Sequence, residues 1–460
     1  MRSLLVACTS LLLLAPFAFT KPERTPPGKN ADWPQWRGPG RDAISTETGL
    51  LKEWPKGGPT LLWETKKVNT APTVGAGMSS LVIAEGKLYT MGDIATVEMV
   101  ETKEKDKEKQ KKETKKGANK GNNVCVFCLD ADTGKELWKT IVGPASMGGP
   151  GGGTRCTPTV DGDRVYALTT QGKLVCLKFN DGALLWQKDL VKEFGGRTPG
   201  FGGYCESPTI DGDKLICAPG GMKACMVALN KLTGDTYWTC EAPSNDGTGF
   251  ASIVKAEVGG VKQYITLAHN QLGLIGVEAE TGKFLWSYTK VANGTANIPT
   301  PIVKGDFVFA STGYGTGAAL LKMIPNGSGG VDVKEQYFLK GGQLQNHHGG
   351  MIMLGDYIYG GHGHSRGAPF CLEWKTGKFA WGPERDPELG SAAVLYADGH
   401  LYFRYEKGEV ALIEATPTGY KKKSTFIPPL STPGWQHPVI YHGRLYLRGN
   451  NQILCYDIKQ

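Results

Sequence analysis

The chain has 460 residues, with Gly 64, Pro 27, Trp 11, Tyr 17 and a formal charge of +8. That length is large for one layered core, though closed or radially repeated β architectures reach it as a single unit, and the Gly, Pro and aromatic content without long Ala/Glu/Leu runs argues against a helical bundle. Nine Lys against five acids in residues 101–120 place 9 − 5 = 4 of the excess charges in one tract without aromatics, which argues against a nucleic-acid surface, and beyond residue 20 no apolar run approaches the ~20 residues of a membrane-crossing helix.

Residues 1–20, MRSLLVACTSLLLLAPFAFT, set Arg2 before an apolar run from Leu4 to Leu14 and then smaller residues. This is the pattern of a secretory signal peptide, with cleavage expected after Thr20 and export to the periplasm or the extracellular space. The LVAC string ending at Cys8 comes before most of the apolar run, too early to act as a lipid-attachment box. Residues 21–57 read as an amino-terminal linker or extension. From residue 58 the chain carries a repeat, interrupted by the mixed-charge tract 101–120, which buries nothing and is expected as a disordered loop insertion.

The repeat is a Gly-x-x-x-Trp spacing, as in DADTGKELW at Asp130 to Trp138. It returns with Trp186, Trp238, Trp286 and Trp381, at intervals of 48, 52, 48 and 95. The last interval is two periods, so one copy has decayed, around Gln336 to Phe338. Eight Gly-centred hairpin signatures such as VDGDRVYAL and IDGDKLICA accompany these turns, giving four strands per unit. Eight such units predict an all-β, eight-bladed propeller of four-stranded antiparallel blades. The sequence ILCYDIKQ looks like a third strand lacking its fourth, while GGPTLLWE supplies an isolated strand at Trp63, so this early strand is expected to complete the last blade.

Cys125 and Cys128 imitate half a zinc site, but residues three apart on a strand face opposite sides. Cys128, Cys176, Cys371 and Cys455 instead share one repeat position with Ala228 and Gly276, a slot for small residues. Cys217 and Cys225 flank a turn and could bridge in an oxidising compartment. GHSRG (Gly363 to Gly367) and GYGTGA (Gly313 to Ala318) imitate a nucleophile elbow and a dinucleotide loop without the helix either needs.

Ligands of propellers meet the loops leading into the innermost strands. Those loops hold Arg155, Glu206, Asn297, Asn346, His347, His348, Trp435 and His437, a set suited to a polar ligand. Four of the eight His fall in one blade, so His347, His348, His362 and His364 are also candidate metal ligands.

Together with DWPQWRGPGRD, QNHHGGMIMLGDYIYGGHGH and LYLRGNNQILCYDIK, the repeats make the chain resemble the quinoprotein alcohol dehydrogenase-like superfamily of pyrroloquinoline quinone (PQQ)-type repeats, and more closely exported bacterial BamB-like propellers. In the enzymes of that group a vicinal Cys pair flanks the quinone, and Glu, Asn and Asp hold Ca²⁺. This sequence has no adjacent Cys pair and no Cys-x-x-Cys-His haem attachment. The resemblance implies, first, an exported binding or scaffold protein of the cell envelope without a catalytic motif, monomeric, meeting a protein partner or small polar ligand at its loops. The alternatives are a PQQ- and Ca²⁺-dependent alcohol dehydrogenase using Glu206 and Asn297, and a carbohydrate or small-molecule binder.

Overall fold

The computed structural model describes residues 32–65, 67–68, 71–72, 74–95, 122–146, 152–198, 200–385, 389–430 and 433–460; the expected signal peptide and the charged tract 101–120 lie outside them. Eight four-stranded antiparallel sheets form an eight-bladed β-propeller. Blade 1 is built from Val82–Ala84, Lys87–Ala95, Asn122–Asp130 and Glu136–Pro144; blade 2 from Thr159–Asp161, Arg164–Leu168, Lys173–Lys178 and Leu184–Asp189. Blades 3 to 7 begin at Thr209, Val254, Ile302, Met351 and Ala392. Blade 8 takes Val439–Tyr441, Arg444–Arg448 and Ile453–Asp457, and its outer strand is Thr60–Glu64.

The strand sequences follow from where each strand lies. Val165 to Leu168 and Leu174 to Leu177 are apolar and buried throughout, because neighbouring blades cover both of their faces. The outer strand Glu136–Pro144 alternates part-buried Trp138 and Thr140 with exposed Leu137 and Ile141, as a strand covered on one face must.

The repeated turn fastens one blade to the next. Asp130 Oδ1 accepts hydrogen bonds from both the amide and the hydroxyl of Thr133, which fixes the turn. Trp138 then lies on Gly182 of the following blade and donates from Nε1 to Phe179 O at 3.3 Å. Trp186 on Gly234, Trp238 on Gly282 and Trp63 on Gly134 repeat the arrangement, the last of these joining blade 8 to blade 1. The small-residue slot lies across the ladder from the indole: Cys128 opposite Trp138, Cys176 opposite Trp186, Ala228 opposite Trp238, Gly276 opposite Trp286 and Cys371 opposite Trp381. Where the indole is missing the slot is filled from the other side. Leu320 faces Tyr337 in blade 5, the decayed copy, and Leu412 faces Ser424 in blade 7. In blade 7 an indole arrives from elsewhere: Trp54 packs 5.6 Å from Tyr402 and 5.3 Å from Phe426.

Gly182 therefore meets two demands, a φ of +71° and room for Trp138, whose Cε3 would lie 2.4 Å from an added Cβ. Gly162, at φ +56°, has nothing within 4 Å. We expect Gly162→Ala to cost about 1 kcal/mol and Gly182→Ala about 3 kcal/mol in urea unfolding; equal costs would show that the indole contact adds nothing.

All ten cysteines of the described residues are free thiols. The bridge considered between Cys217 and Cys225 is not made: Cys217 sits opposite Val227 in its ladder, and the Cys225 amide donates to Cys240 O at 2.8 Å. Cys125 and Cys128 belong to different interblade cores.

Residues 32–57 do not hang free of the ring. Trp33 exchanges backbone hydrogen bonds with Ile83 in blade 1, Pro34 O accepts from Val160 in blade 2, and Ser45 donates to Tyr396 in blade 7. Arg41 reaches Ser207 O and Pro208 O at blade 3, and Arg37 reaches Met351 O at blade 6. A segment touching blades on opposite sides of the ring crosses its axis, and it stands between two cavities: Trp36 lines one, Gln35, Arg37 and Arg41 the other.

Candidate functional site

The upper cavity, of about 270 Å³, opens among the loops that lead into the first strands and those that join second to third strands. Its wall includes Trp36, Arg155, Phe201, Phe250, Tyr314, His347, His348, His364, Ser365, Glu406, Trp435 and His437. Five of the rings, Tyr314, His347, His348, His364 and Trp435, make one connected group, and Trp36 with His437 makes a separate pair. His347 stacks on His348 with centroids 3.8 Å apart and lies 4.0 Å from His364. Trp435 is 4.5 Å from His348, and Trp36 is 4.5 Å from His437.

His347 is held from both sides, Nδ1 sharing a 3.0 Å hydrogen bond with Ser391 Oγ and Nε2 a 3.1 Å bond with the Tyr314 hydroxyl. Ser391 is in turn fixed by its amide, which donates to Glu406 Oε2 at 3.1 Å. Desolvation holds the imidazoles neutral: His347 and His437 are each brought down to about 3, and His348 lies well below the ordinary histidine value. A neutral imidazole has one donor and one acceptor nitrogen, so the tyrosine–histidine–serine series has one direction and presents no charge.

Two cavity residues sit in backbone conformations that L side chains rarely adopt, Tyr314 at φ +56° and Ser365 at φ +57°. Both occupy turns between second and third strands, of blades 5 and 6. Such strain persists where the surroundings over-determine it, and here it turns a phenol and a hydroxyl toward the cavity. Among the described residues, the wall atoms buried without a hydrogen-bond partner include His348 Nδ1, His437 Nδ1 and Trp435 Nε1. Buried polar groups are normally satisfied by protein or water, and these atoms belong to residues on the wall of one cavity.

Of the residues singled out from sequence, Arg155, His347, His348, His364, Trp435 and His437 come together in this wall. Four others do not. Asn297, fully buried, accepts from the Asn293 amide and donates to Ala268 O and Asn293 O, tying a loop. Asn346 does the same with the amides of Gly349 and Gly350 and with Gly361 O. His362 accepts from the Gln345 amide, outside the cavity wall. Glu206 turns into the blade, where Oε1 accepts from the Ala218 amide at 2.6 Å and Oε2 has no partner; burial raises its pKa to about 7. Phe201, Phe250, Tyr314, Ser365 and Glu406 were not expected.

Glu206 and Asn297, expected as calcium ligands, each accept from a backbone amide, and Asn297 also donates to two backbone oxygens. Among the described residues no group of three or more His, Cys, Asp or Glu is placed to hold a metal. His347, His348 and His364 meet through ring faces rather than convergent nitrogens.

A family profile described as outer membrane protein assembly factor BamB matches residues 122–382. The chain is similar to the tetrathionate hydrolase of Acidithiobacillus ferrooxidans, 28% identical over 208 residues, which is 41% of this chain and 37% of that protein's length. It is similar as well to the outer membrane protein assembly factor BamB of Burkholderia pseudomallei, 26% identical over 320 residues, 60% of this chain and 77% of the relative. Among solved structures, BamB from Moraxella catarrhalis superposes with a TM-score of 0.52 at 15% identity, covering 73% of this chain and 89% of that one. The quinohemoprotein alcohol dehydrogenase ADHIIG of Pseudomonas putida gives 0.58 at 12% identity, covering 93% and 80%. At these identities the structures are alike in fold. No helix of the described residues is long and apolar enough to cross a membrane.

Proposed function

The chain belongs to the family described as outer membrane protein assembly factor BamB, a family of PQQ-type propellers, and on that premise we propose that it is an exported binding and scaffold protein of the cell envelope whose upper cavity seats a small planar ligand. Family membership supports the binding role, and the apolar run from Leu4 to Leu14 supports export. The observation that supports the ligand site is that one wall of aromatic rings holds His348, His437 and Trp435, each with a buried ring nitrogen that has no hydrogen-bond partner among the described residues. A flat molecule with hydrogen-bonding edges would stack on Trp435 or Trp36 and satisfy those atoms.

The reading is tested by titrating the purified full chain with pyrroloquinoline quinone, nicotinate and a pterin, followed by tryptophan fluorescence. Saturable quenching is expected with at least one of them, weakened roughly tenfold in Trp435→Ala. No quenching by any probe, in folded protein, would remove the ligand site. Dye-linked oxidation of an alcohol by the quinone-loaded chain would replace binding with redox catalysis.

A further inference from the structure

The second cavity, of about 1090 Å³, lies on the other side of the segment that crosses the axis. It is lined by that segment, by the first strands of blades 3 to 6 and by the turn at Gly355 and Asp356. Four cations, Arg37, Arg41, Lys255 and Lys304, and two carboxylates, Asp42 and Asp356, line it.

The arginines are 4% and 8% exposed, and among the described residues neither forms an ion pair. Their hydrogen bonds go to neutral oxygens: Arg37 to Asp42 O and Met351 O, Arg41 to Ser207 O, Pro208 O and Gln35 Oε1. Nε of each is buried without a partner. Burial brings both guanidiniums down to about 10, which leaves them charged at neutral pH. Asp42 acts on Arg37 and Glu206 on Arg41 through space, but among the described residues no carboxylate lies within ion-pair distance of either buried cation, and an anion from outside would lower the cost of burying them. The backbone carrying them is strained as well, since Arg37, Arg41 and Ala43 take φ of +62°, +53° and +60°.

The lysines stand at the rim in exposed pairs, Lys304 also donating to Gly355 O at 2.6 Å. Lys304 pairs with Asp356 at 3.1 Å and Lys255 with Asp211 at 3.1 Å, with side chains 39% and 52% exposed. Exposed pairs of this kind are worth little and open easily. When Lys304 leaves, Asp356 keeps the hydrogen bond from Trp374 Nε1. The Asp42 carboxylate accepts from the Ile44 amide.

We propose that the lower cavity is an oxyanion site, taking the phosphate or clustered carboxylates of a small ligand between Arg37, Arg41, Lys255 and Lys304. Guanidinium and ammonium groups together suit such a ligand, the first for planar oxygen pairs and the second as mobile point charges. The site is separate from the upper cavity and does not depend on the reading of it.

The test is calorimetric titration of the full chain with inorganic phosphate and, separately, with citrate. Saturable binding of one of them is expected, weakening as salt is raised. Lys255→Ala and Lys304→Ala, both at exposed side chains that leave the core intact, are expected to weaken it about fivefold each. Trp435→Ala, in the other cavity, is expected to leave it unchanged. No saturable binding of either anion, or affinity retained in the double lysine variant, would overturn the proposal.

Discussion

Trp63→Ala is expected to lower the unfolding free energy by ~3–5 kcal/mol, more than an aromatic truncation at the protein surface would. Trp63 stands on the strand supplied to blade 8 from the amino-terminal side, opposite Cys455, and packs on Gly134 of blade 1 while donating to Ala131 O at 3.2 Å. Its removal opens a hole at the one interblade joint that links residues far apart in sequence. The same change at Trp138, between blades that follow one another in the chain, leaves the closure intact. We expect urea unfolding of Trp138→Ala to remain a single transition and that of Trp63→Ala to show an early loss of blade 8. Identical, single transitions for the two variants would mean that closure is not the weaker joint.

Acid should destabilise the protein before its surface carboxylates are protonated. His347 and His437 are held near 3 and His348 well below the ordinary value, all chiefly by desolvation, whereas an unfolded chain takes up protons near 6.5. Between pH 6.5 and 3 the unfolded state therefore binds more protons, and the stability these rings contribute is present above pH 6.5 and lost as pH falls. For His347 and His437 the loss reaches up to ~3 kcal/mol each by pH 4. Glu206 has the opposite sign. Its folded pKa of about 7 stands above the ordinary 4.5, so its contribution is complete below pH 4.5 and lost as pH rises toward 7. Three imidazoles outweigh one carboxyl below pH 6.5, and the midpoint of urea unfolding should fall from pH 7 to pH 4.5. His437→Gln should flatten that fall, and Glu206→Gln should raise stability above pH 7. A midpoint unchanged between pH 7 and 4.5 would show that the cavity rings are hydrated enough to titrate normally.

Much of the ring was legible because a repeat imposes the same physical demand at each copy. The indole, the turn glycine and the small residue across the ladder constrain one another, and a sequence meeting that demand repeatedly discloses the contact. Cys128, Cys176 and Cys371 could be assigned to packing for that reason. The cavities are written in residues that do not repeat. Tyr314 and Ser365 lie in GYGTGA and GHSRG, strings that imitate enzyme motifs in sequence but fold as turns lining the cavity. Asn297 and Asn346 were the right type of side chain in the right loops, yet whether an amide faces a ligand or its own backbone depends on φ and ψ, which composition does not disclose. Trp36, Arg37, Arg41 and Trp54 lie in a stretch without hydrophobic periodicity, since a segment that crosses an axis and touches each blade once has no face to repeat.

The pairing of Thr60–Glu64 with Ile453–Asp457 also orders events in time. A ribosome makes Trp63 nearly four hundred residues before its partner Cys455. During that interval the early strand has an apolar face and nothing to cover it. Blades 1 to 7 can form one after another from neighbouring sequence, but the joint that closes the ring must wait until Ile453–Asp457 has been made, so the ring closes last.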